Sequence, residues 1–268
     1  MPRTVKQYWR RILVQFGLFD EAAFKLVVDR IDPNDIFIVS YPKSGNTWMR
    51  FLVANILEPS MAWTFRNIGS LIPDIYADNG TLNHIQRPAY IKAHHPWFNY
   101  YPKSIYIVRD YRDVLLSYYA YQVAMNAWAG NFTSFIREHE KLDEFGSWSQ
   151  HVLEALQFQK EHPQRILIVK YEELQANTKS ELKKVVEFCR ISKNTTLEDV
   201  IEKSKFSALK KAEEVHGSTF QDLTESMFFR KGETGNWRTE ISSEDIAYIE
   251  EHNTSALLAF GYPLATQK

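Results

Sequence analysis

The chain of 268 residues is long enough for one large α/β domain or two small domains, with a substantial core. Hydrophobic residues make up 44% and charged residues 24%, an ordinary balance for a globular protein. The formal net charge of -1 excludes a general attraction to nucleic acid or to anionic membranes, so no nucleic-acid partner is expected, although a local basic site for a small polyanion is compatible with it.

Residues 1–30 predict an N-terminal helical segment. The stretch "MPRTVKQYWRRILVQFGLFD" lacks the long apolar core and the cleavage site of a signal peptide, and no stretch of the chain approaches the ~20 apolar residues of a membrane span. Within it, "YWRRILVQFGLF" fits either a helix docked on a membrane surface or a helix packed on the domain, and the second is favoured. We therefore expect a soluble, cytoplasmic protein.

Four short runs rich in β-branched and aromatic residues predict strands at 35–40, 89–95, 104–109 and 165–171. Most of them are nearly continuous apolar runs, which is typical of strands covered on both faces of a parallel sheet. Segments with helical spacing separate them: "GNTWMRFLVANIL", "RDVLLSYYAYQVAM", "SWSQHVLEALQFQKE" and "KSELKKVVEFC". Strand–helix alternation predicts an α/β fold, a three-layer domain with a central parallel sheet and helices on both faces.

The rest of the chain adds one more helix and a long loop. A helix is predicted within "SSEDIAYIEEHNTSALLAFGY", whose serines and acidic residues are typical of a helix start. Residues 211–236 lack clear periodicity and predict a long loop, and loops of that length are usually functional or disordered. The single cysteine, Cys189, excludes an intramolecular disulfide and a cysteine-based zinc site. Without repeats or a linker, we interpret 1–268 as one domain whose motifs lie in 35–240.

The loop "YPKSGNTW", residues 41–48, follows the first strand and opens the first helix. Ligands of α/β sheets bind at such turns, where the first amides of the helix are unpaired and the helix dipole favours an anion. Gly45 allows close backbone approach, Ser44 and Thr47 offer hydroxyls, and Lys43 supplies a charge. A phosphate site is favoured over an ordinary turn. Trp48 fits either the core or a stacking surface for a base.

Two further motifs contain candidate functional residues. In "IVRDYRDVLLSYY", Arg109 ends a strand and Ser117 lies two turns into the next helix, a spacing compatible with both lying at the same end of the sheet as Lys43. Alone, however, this arginine is better explained by an ordinary surface ion pair with Asp110 or Asp113. In "IKAHHP", Lys92 and His94 share one strand face, and a neutral His94 can accept a proton from a hydroxyl or an amine. His95 points the other way.

A fourth motif, "FFRKGETGNWR", is a basic, glycine-containing stretch at 228–238. Alone it fits a solvated surface loop. Two anion sites together with aromatic residues predict a ligand with two separate phosphate-like groups and a purine.

These four motifs together resemble the sulfotransferase family, in particular the cytosolic type that uses 3'-phosphoadenosine 5'-phosphosulfate (PAPS) as donor and releases 3'-phosphoadenosine 5'-phosphate (PAP). "YPKSGNTW" resembles the family's 5'-phosphosulfate loop and "RKGETGNWR" its 3'-phosphate loop. "KAHHP" resembles the stretch that holds the catalytic base, and "GSWSQHV" and "VKYEEL" match further family segments. The resemblance spans about 35–240 and implies a P-loop-type fold.

The resemblance implies a role for each matching residue. The 5'-phosphosulfate would be held by Lys43, Ser44, Gly45, Asn46 and Thr47. The adenine would contact Trp48, Tyr171 and Phe228, with Ser204 and Phe206 as weaker matches near the nucleotide. The 3'-phosphate would be bound by Arg109, Ser117, Arg230, Lys231 and Gly232. Catalysis would fall to His94 as general base, Lys43 at the leaving group and Lys92 beside the transferring group, with no metal required, and a small molecule with a hydroxyl or amine as acceptor.

Some positions depart from the family pattern. Asn46 and Asn236 stand where threonine and aspartate are common, and the family's dimer signature does not match "RTEISSEDIAYIEE", which puts that mode of dimerisation in doubt. Two rivals stay open. A P-loop kinase would want a glycine before the lysine and a magnesium-binding acid, for which Asp110 is the obvious candidate. A catalytically silent nucleotide-binding protein is the other.

Overall fold

The computed structural model describes residues 31–76, 82, 84–143, 145–192, 195–216 and 232–266. The predicted N-terminal helical segment, 1–30, lies outside these residues. Within the described part of the chain, no helix combines the length and the apolar character that crossing a membrane requires.

The centre of the fold is a four-stranded sheet in the order β2-β1-β3-β4, with every neighbouring pair parallel. The strands are β1 (Ile36–Ser40), β2 (Tyr90–Ala93), β3 (Lys103–Val108) and β4 (Ile166–Lys170). In the register, Ile38 lies opposite Lys92 on one side and Ile105 on the other. The predicted central parallel sheet is confirmed.

Helices make up most of the remaining described residues. They are α1 (Asn46–Leu57), α2 (Ile68–Leu71), α3 (Tyr111–Ala124), α4 (Phe132–Leu142), α5 (Trp148–Glu161), α6 (Tyr171–Ala176), α7 (Thr178–Cys189), α8 (Leu197–Lys203), α9 (Phe206–His216), α10 (Trp237–Glu240) and α11 (Ser243–Ala259). The serine-rich start of α11 acts as predicted, since the Ser242 side chain accepts a hydrogen bond from Asp245 N–H. One prediction is wrong: residues 211–216 belong to α9 and not to a loop.

Alternate strand residues face two different cores. Ile36 and Ile38 pack in one cluster with Phe51 and Leu52 of α1 and with residues of α7 and α8. Phe37 and Val39, whose side chains point to the opposite face, pack in a second cluster with residues of α3, α5 and α11. Because successive side chains of a strand point to opposite faces, this division means that helices cover both faces of the sheet. The predicted three-layer α/β architecture is confirmed.

The second strand is shorter than predicted. β2 ends at Ala93, so His94 and His95 lie just beyond it. Their N–H groups donate to the side-chain hydroxyl of Tyr76, both at 2.8 Å, instead of to a neighbouring strand. A side-chain acceptor therefore ends the ladder at this point. The segment before Tyr76 pairs with the outer edge of β2, where Ile75 N–H donates to Lys92 O at 3.0 Å.

Candidate active site

The candidate site lies where the four strands end. Because all strands are parallel, the residues that follow them meet at one edge of the sheet: the 41–48 loop after β1, His94 after β2, Arg109 after β3 and Tyr171 after β4. The chain leaves β1 toward β2 on one side and leaves β3 toward β4 on the other, which makes the gap between β1 and β3 a topological switch point. Ligands of open α/β sheets bind in this crevice.

The backbone of the 41–48 loop is shaped for a close ligand. Lys43 and Gly45 both adopt left-handed conformations, with φ of 66° and 105°. A Cβ atom at Gly45 would lie 2.5 Å from the Tyr171 ring, so both the conformation and the space require glycine. No side chain of a described residue caps the N-terminus of α1, and its first turn contains no acidic residue, so its unpaired amides and helix dipole favour an anion.

The polar side chains of the loop have different tasks. The hydroxyl of Ser44 is buried and has no hydrogen-bond partner among the described residues, which fits an oxygen of a bound ligand. Asn46 turns inward instead, since its Nδ2 donates to Ile38 O at 3.0 Å and to Ala93 O at 3.2 Å and thereby ties β1 to β2. Of Asn46, only the backbone N–H is left for an anion. Thr47 is half-buried in the first turn of α1.

Lys43 stands in a cationic environment. Its Nζ lies 4.5 Å from the centre of the Tyr121 ring. Burial first, and then the positive charges of Arg109 and Lys92, lower the pKa of Lys43 to about 7, against the opposing effect of the buried carboxyl of Glu213. A bound anion would relieve this repulsion.

Arg109 connects the β1 loop with the described part of the predicted 3'-phosphate segment. Its Nη1 donates to Lys43 O at 3.4 Å and its Nη2 to Glu233 O at 2.9 Å, and its guanidinium carbon lies 4.5 Å from the centre of the Tyr171 ring. Its Nε is buried and without a hydrogen-bond partner among the described residues, so it can still donate to a ligand. Ser117 is half-buried on α3, and its predicted contact with the 3'-phosphate stays a prediction.

Only the end of the predicted 3'-phosphate segment can be placed. Gly232 has φ 66°, and a Cβ there would overlap the Phe206 ring. Its carbonyl accepts hydrogen bonds from Gln175 Nε2 and, at 3.5 Å, from the Tyr171 hydroxyl. Phe228, Arg230 and Lys231 lie outside the described residues, so their predicted contacts stay predictions.

The predicted adenine surface is formed by aromatic residues that pack on one another. The Trp48 and Tyr171 rings meet edge to face, with centroids 5.6 Å apart. Trp48 Nε1 donates to Ser204 O at 3.0 Å, and the buried Ser204 hydroxyl accepts from Asn55 Nδ2 at the same distance. The structure therefore brings Trp48, Tyr171 and Ser204 together, with Phe206 beside Gly232.

On the β2 side, His94 is held as a neutral imidazole. Its Nδ1 lies 2.8 Å from Ser40 O and must carry the proton to bond a carbonyl, which leaves Nε2 as a proton acceptor. Burial first, and then the charge of Lys92, lower the pKa of His94 to about 3. His95 is buried and stacks on Trp97 with centroids 4.0 Å apart, so it is a packed residue.

Lys92 forms an ion pair that the sequence motif did not indicate. Its Nζ lies 2.5 Å from Asp74 Oδ2, and both side chains are largely buried. Burial lowers the pKa of Lys92, whereas Asp74 counteracts this effect. Asp74 lies 18 residues away in a segment without a recognisable pattern, which is why sequence reasoning missed it.

A second residue that the motifs missed is Asp113. One of its oxygens accepts from Gly235 N–H at 2.6 Å and the other from Trp237 N–H at 3.1 Å. Asp110 is also engaged, since it caps α3 and pairs with the fully buried Arg112 at 2.7 Å. The Asp110 carboxylate, which a kinase would need to bind magnesium, therefore has a structural role in this fold.

A family model for the sulfotransferase domain matches residues 33–261. The chain belongs to the sulfotransferase family. It is 29% identical over 245 residues to sulfotransferase 1A1 of Rattus norvegicus, covering 82% of this chain and 83% of the relative, and 30% identical over 247 residues to sulfotransferase 1 family member D1 of the same organism, covering 82% of each.

Solved structures agree on the fold. Mouse sulfotransferase SULT7A1 complexed with PAP superposes with a TM-score of 0.70 at 24% identity and covers 89% of each chain. Retinol dehydratase in complex with androsterone and PAP gives a TM-score of 0.66 at 20% identity, covering 84% of this chain and 81% of that one. The predicted P-loop-type fold and the predicted class, a PAPS-dependent sulfotransferase, are confirmed.

Proposed function

We propose that the protein moves a sulfuryl group from PAPS to a hydroxyl or amine of a small-molecule acceptor, with His94 as general base and Lys43 at the leaving group. One observation carries this proposal. The 41–48 loop, Arg109 and the free Nε2 of His94 converge on one edge of the sheet, each placed there by the end of a different strand. An anion site and a neutral base thus face the same crevice.

The residues present fit the donor. The unpaired Ser44 hydroxyl, the buried Arg109 Nε and the α1 amides would hold its anionic groups, and Trp48 with Tyr171 would contact the adenine. Bound there, PAPS supplies an activated sulfuryl group. His94 Nε2 takes the proton of the acceptor as the acceptor oxygen or nitrogen bonds to sulfur, a step that typically contributes about 10²–10⁴-fold. Lys43 stabilises the charge that grows on the bridging oxygen as its bond to sulfur breaks.

The acceptor side favours an aromatic or apolar molecule. Phe145 lies with its ring centroid 5.3 Å from that of His94, and Tyr76 is parallel to His94 at 6.4 Å. These half-buried rings beside the base suit the flat body of a phenol or a related alcohol.

The cytoplasmic location, the extent of the domain over 1–268 and the oligomeric state stay predictions.

The test is sulfate transfer from ³⁵S-labelled PAPS to a panel of phenols, aliphatic alcohols and amines. We expect His94→Ala to lose turnover by at least about 10²-fold while PAP binding measured by calorimetry is unchanged. His95→Ala is the matched control, and its loss should be smaller because His95 packs against Trp97. Reversed behaviour of the two variants would assign the base to His95. PAP binding without transfer to any acceptor would favour the silent nucleotide-binding protein.

A further inference from the structure

We propose that Tyr76 is a positioning residue that holds the peptide groups around the catalytic base, an inference that rests on the proposed role of His94. Its hydroxyl oxygen lies 2.8 Å from three atoms: the backbone nitrogens of His94 and His95 and the ring Nδ1 of His95. A tyrosine hydroxyl offers one donor and two acceptor positions, and these three contacts use them all. It accepts from both amides and donates to the His95 ring.

His151 holds the other side of the same peptide. Its Nε2 donates to His94 O at 2.6 Å, and its Nδ1 accepts from the Tyr106 hydroxyl at 2.7 Å. Burial lowers the pKa of His151 to about 4, so it stays neutral and keeps this tautomer. With the ring bond to Ser40 O, the backbone N–H, the backbone C=O and the imidazole of His94 are each fixed by a different part of the fold.

This arrangement links the acceptor side to the base. Tyr76 follows the segment whose Ile75 N–H pairs with Lys92 O at the outer edge of β2, and its ring packs against Phe145 at 5.8 Å. A group that moves Tyr76 therefore moves the peptide that carries His94. Since a catalytic group displaced by about 1 Å can lose about 10²-fold in rate, this one hydroxyl has a large effect on turnover and a small one on donor binding.

The variant Tyr76→Phe removes the hydroxyl and keeps the ring. With 4-nitrophenol as acceptor, we expect kcat to fall on the order of 10²-fold while the calorimetric Kd for PAP stays within about twofold. Tyr101→Phe is the matched control, because its buried hydroxyl donates to His95 O at 3.1 Å, which belongs to the next peptide group along the chain. Equal kcat in the two variants, or a raised acceptor KM with kcat retained, would overturn the proposal.

A measurement on the unaltered protein keeps the proposal testable if Tyr76→Phe fails to fold. Amide hydrogen exchange should be slow at both His94 and His95, because both N–H groups are bonded to one hydroxyl. Imidazole NMR should show His94 as the Nδ1–H tautomer. Fast exchange at both amides would overturn the positioning role even in an active enzyme. If exchange is slow at both amides but no sulfate transfer is detected, the proposed function is overturned and the hydrogen bonds of Tyr76 are still supported.

Discussion

Lys43 combines a left-handed backbone conformation with a buried ammonium group. A non-glycine residue at φ 66° costs roughly 1–2 kcal/mol of backbone strain, and its ammonium is buried near two other cations. Both features favour a bound anion at this position, because its negative charge offsets the repulsion from Arg109 and Lys92. The strained conformation turns the Lys43 carbonyl to Arg109 Nη1 at 3.4 Å.

We predict that PAP binding protonates Lys43. Burial, Arg109 and Lys92 lower the pKa of the free amine to about 7 and Glu213 opposes them, whereas a bound anion raises it. Proton uptake at this site should therefore be small below pH 6, about half a proton at pH 7 and larger at pH 8, and apparent affinity should fall as pH rises through 7. Calorimetry in HEPES and Tris, whose ionisation enthalpies differ, measures the uptake.

Lys43→Arg is the control for this prediction, since an arginine stays protonated in both states. Subtracting its proton uptake removes the contribution of the PAP phosphates. A difference of zero between the two proteins at pH 8 would contradict a lowered pKa of Lys43.

At the scale of elements, the start of α3 anchors the glycine loop before α10. Asp113 accepts from the N–H groups of Gly235 and Trp237, and the Arg112 guanidinium carbon lies 3.7 Å from the centre of the Trp237 ring. Arg112 is in turn paired with Glu250 of α11 at 2.5 Å. One helix end therefore fixes the loop that continues the predicted 3'-phosphate segment.

We predict that Asp113→Asn weakens binding of PAP more than binding of adenosine 5'-phosphate. An asparagine has one side-chain acceptor oxygen in place of two, so one of the two loop amides loses its partner, which costs about 0.5–1.5 kcal/mol. This corresponds to a roughly 2- to 12-fold higher Kd for PAP in calorimetry. Glu244→Gln, at an exposed position in the first turn of α11, removes the same charge and should change neither affinity. An equal loss of affinity for both nucleotides would contradict a role of this loop in binding the 3'-phosphate.

The parts of the site that are local in sequence were predictable. A strand followed directly by a glycine loop and a helix is a contiguous signal, and parallel strands bring their ends to one edge. This reasoning predicted that Lys43 and Arg109 lie at one edge, whereas His94 was chosen from its place in a strand and Tyr171 from the family resemblance; their roles stay predictions. The inward orientation of the Asn46 side chain was not predictable, because its partners Ile38 O and Ala93 O become adjacent only when β1 and β2 pair.

Contacts between distant segments were also beyond sequence reasoning. Tyr76 and Asp74 reach β2 from a stretch that has no helical or strand periodicity, so no pattern indicates their partners. Helix α9 was missed because its apolar pattern is too weak to predict a helix. Over 206–215, the buried side chains are those of Leu209 and Glu213.

On the scale of the whole molecule, the site couples all four strands of the sheet. Ligand groups at the β1 loop, Arg109 and Tyr171 would bind elements that pack in both cores, since Tyr41 belongs to one cluster and Tyr171 to the other. A ligand held at such a junction binds the folded state and has no comparable site in the unfolded chain. Its binding free energy therefore adds to the stability of the entire described fold.

We predict that PAP at 100 times its Kd stabilises the protein by about 2.7 kcal/mol, which for a chain of this size raises Tm by roughly 5–11 °C. Differential scanning fluorimetry measures the shift. His94→Ala should show the same shift, because His94 lies on the acceptor side of the crevice and bonds to Ser40 O. EDTA should leave the shift and the transfer rate unchanged, since lysine, arginine and helix amides supply the positive charge. A shift that disappears with EDTA would place a metal in the site and favour the kinase interpretation, whereas a shift that His94→Ala abolishes would place the base against the nucleotide.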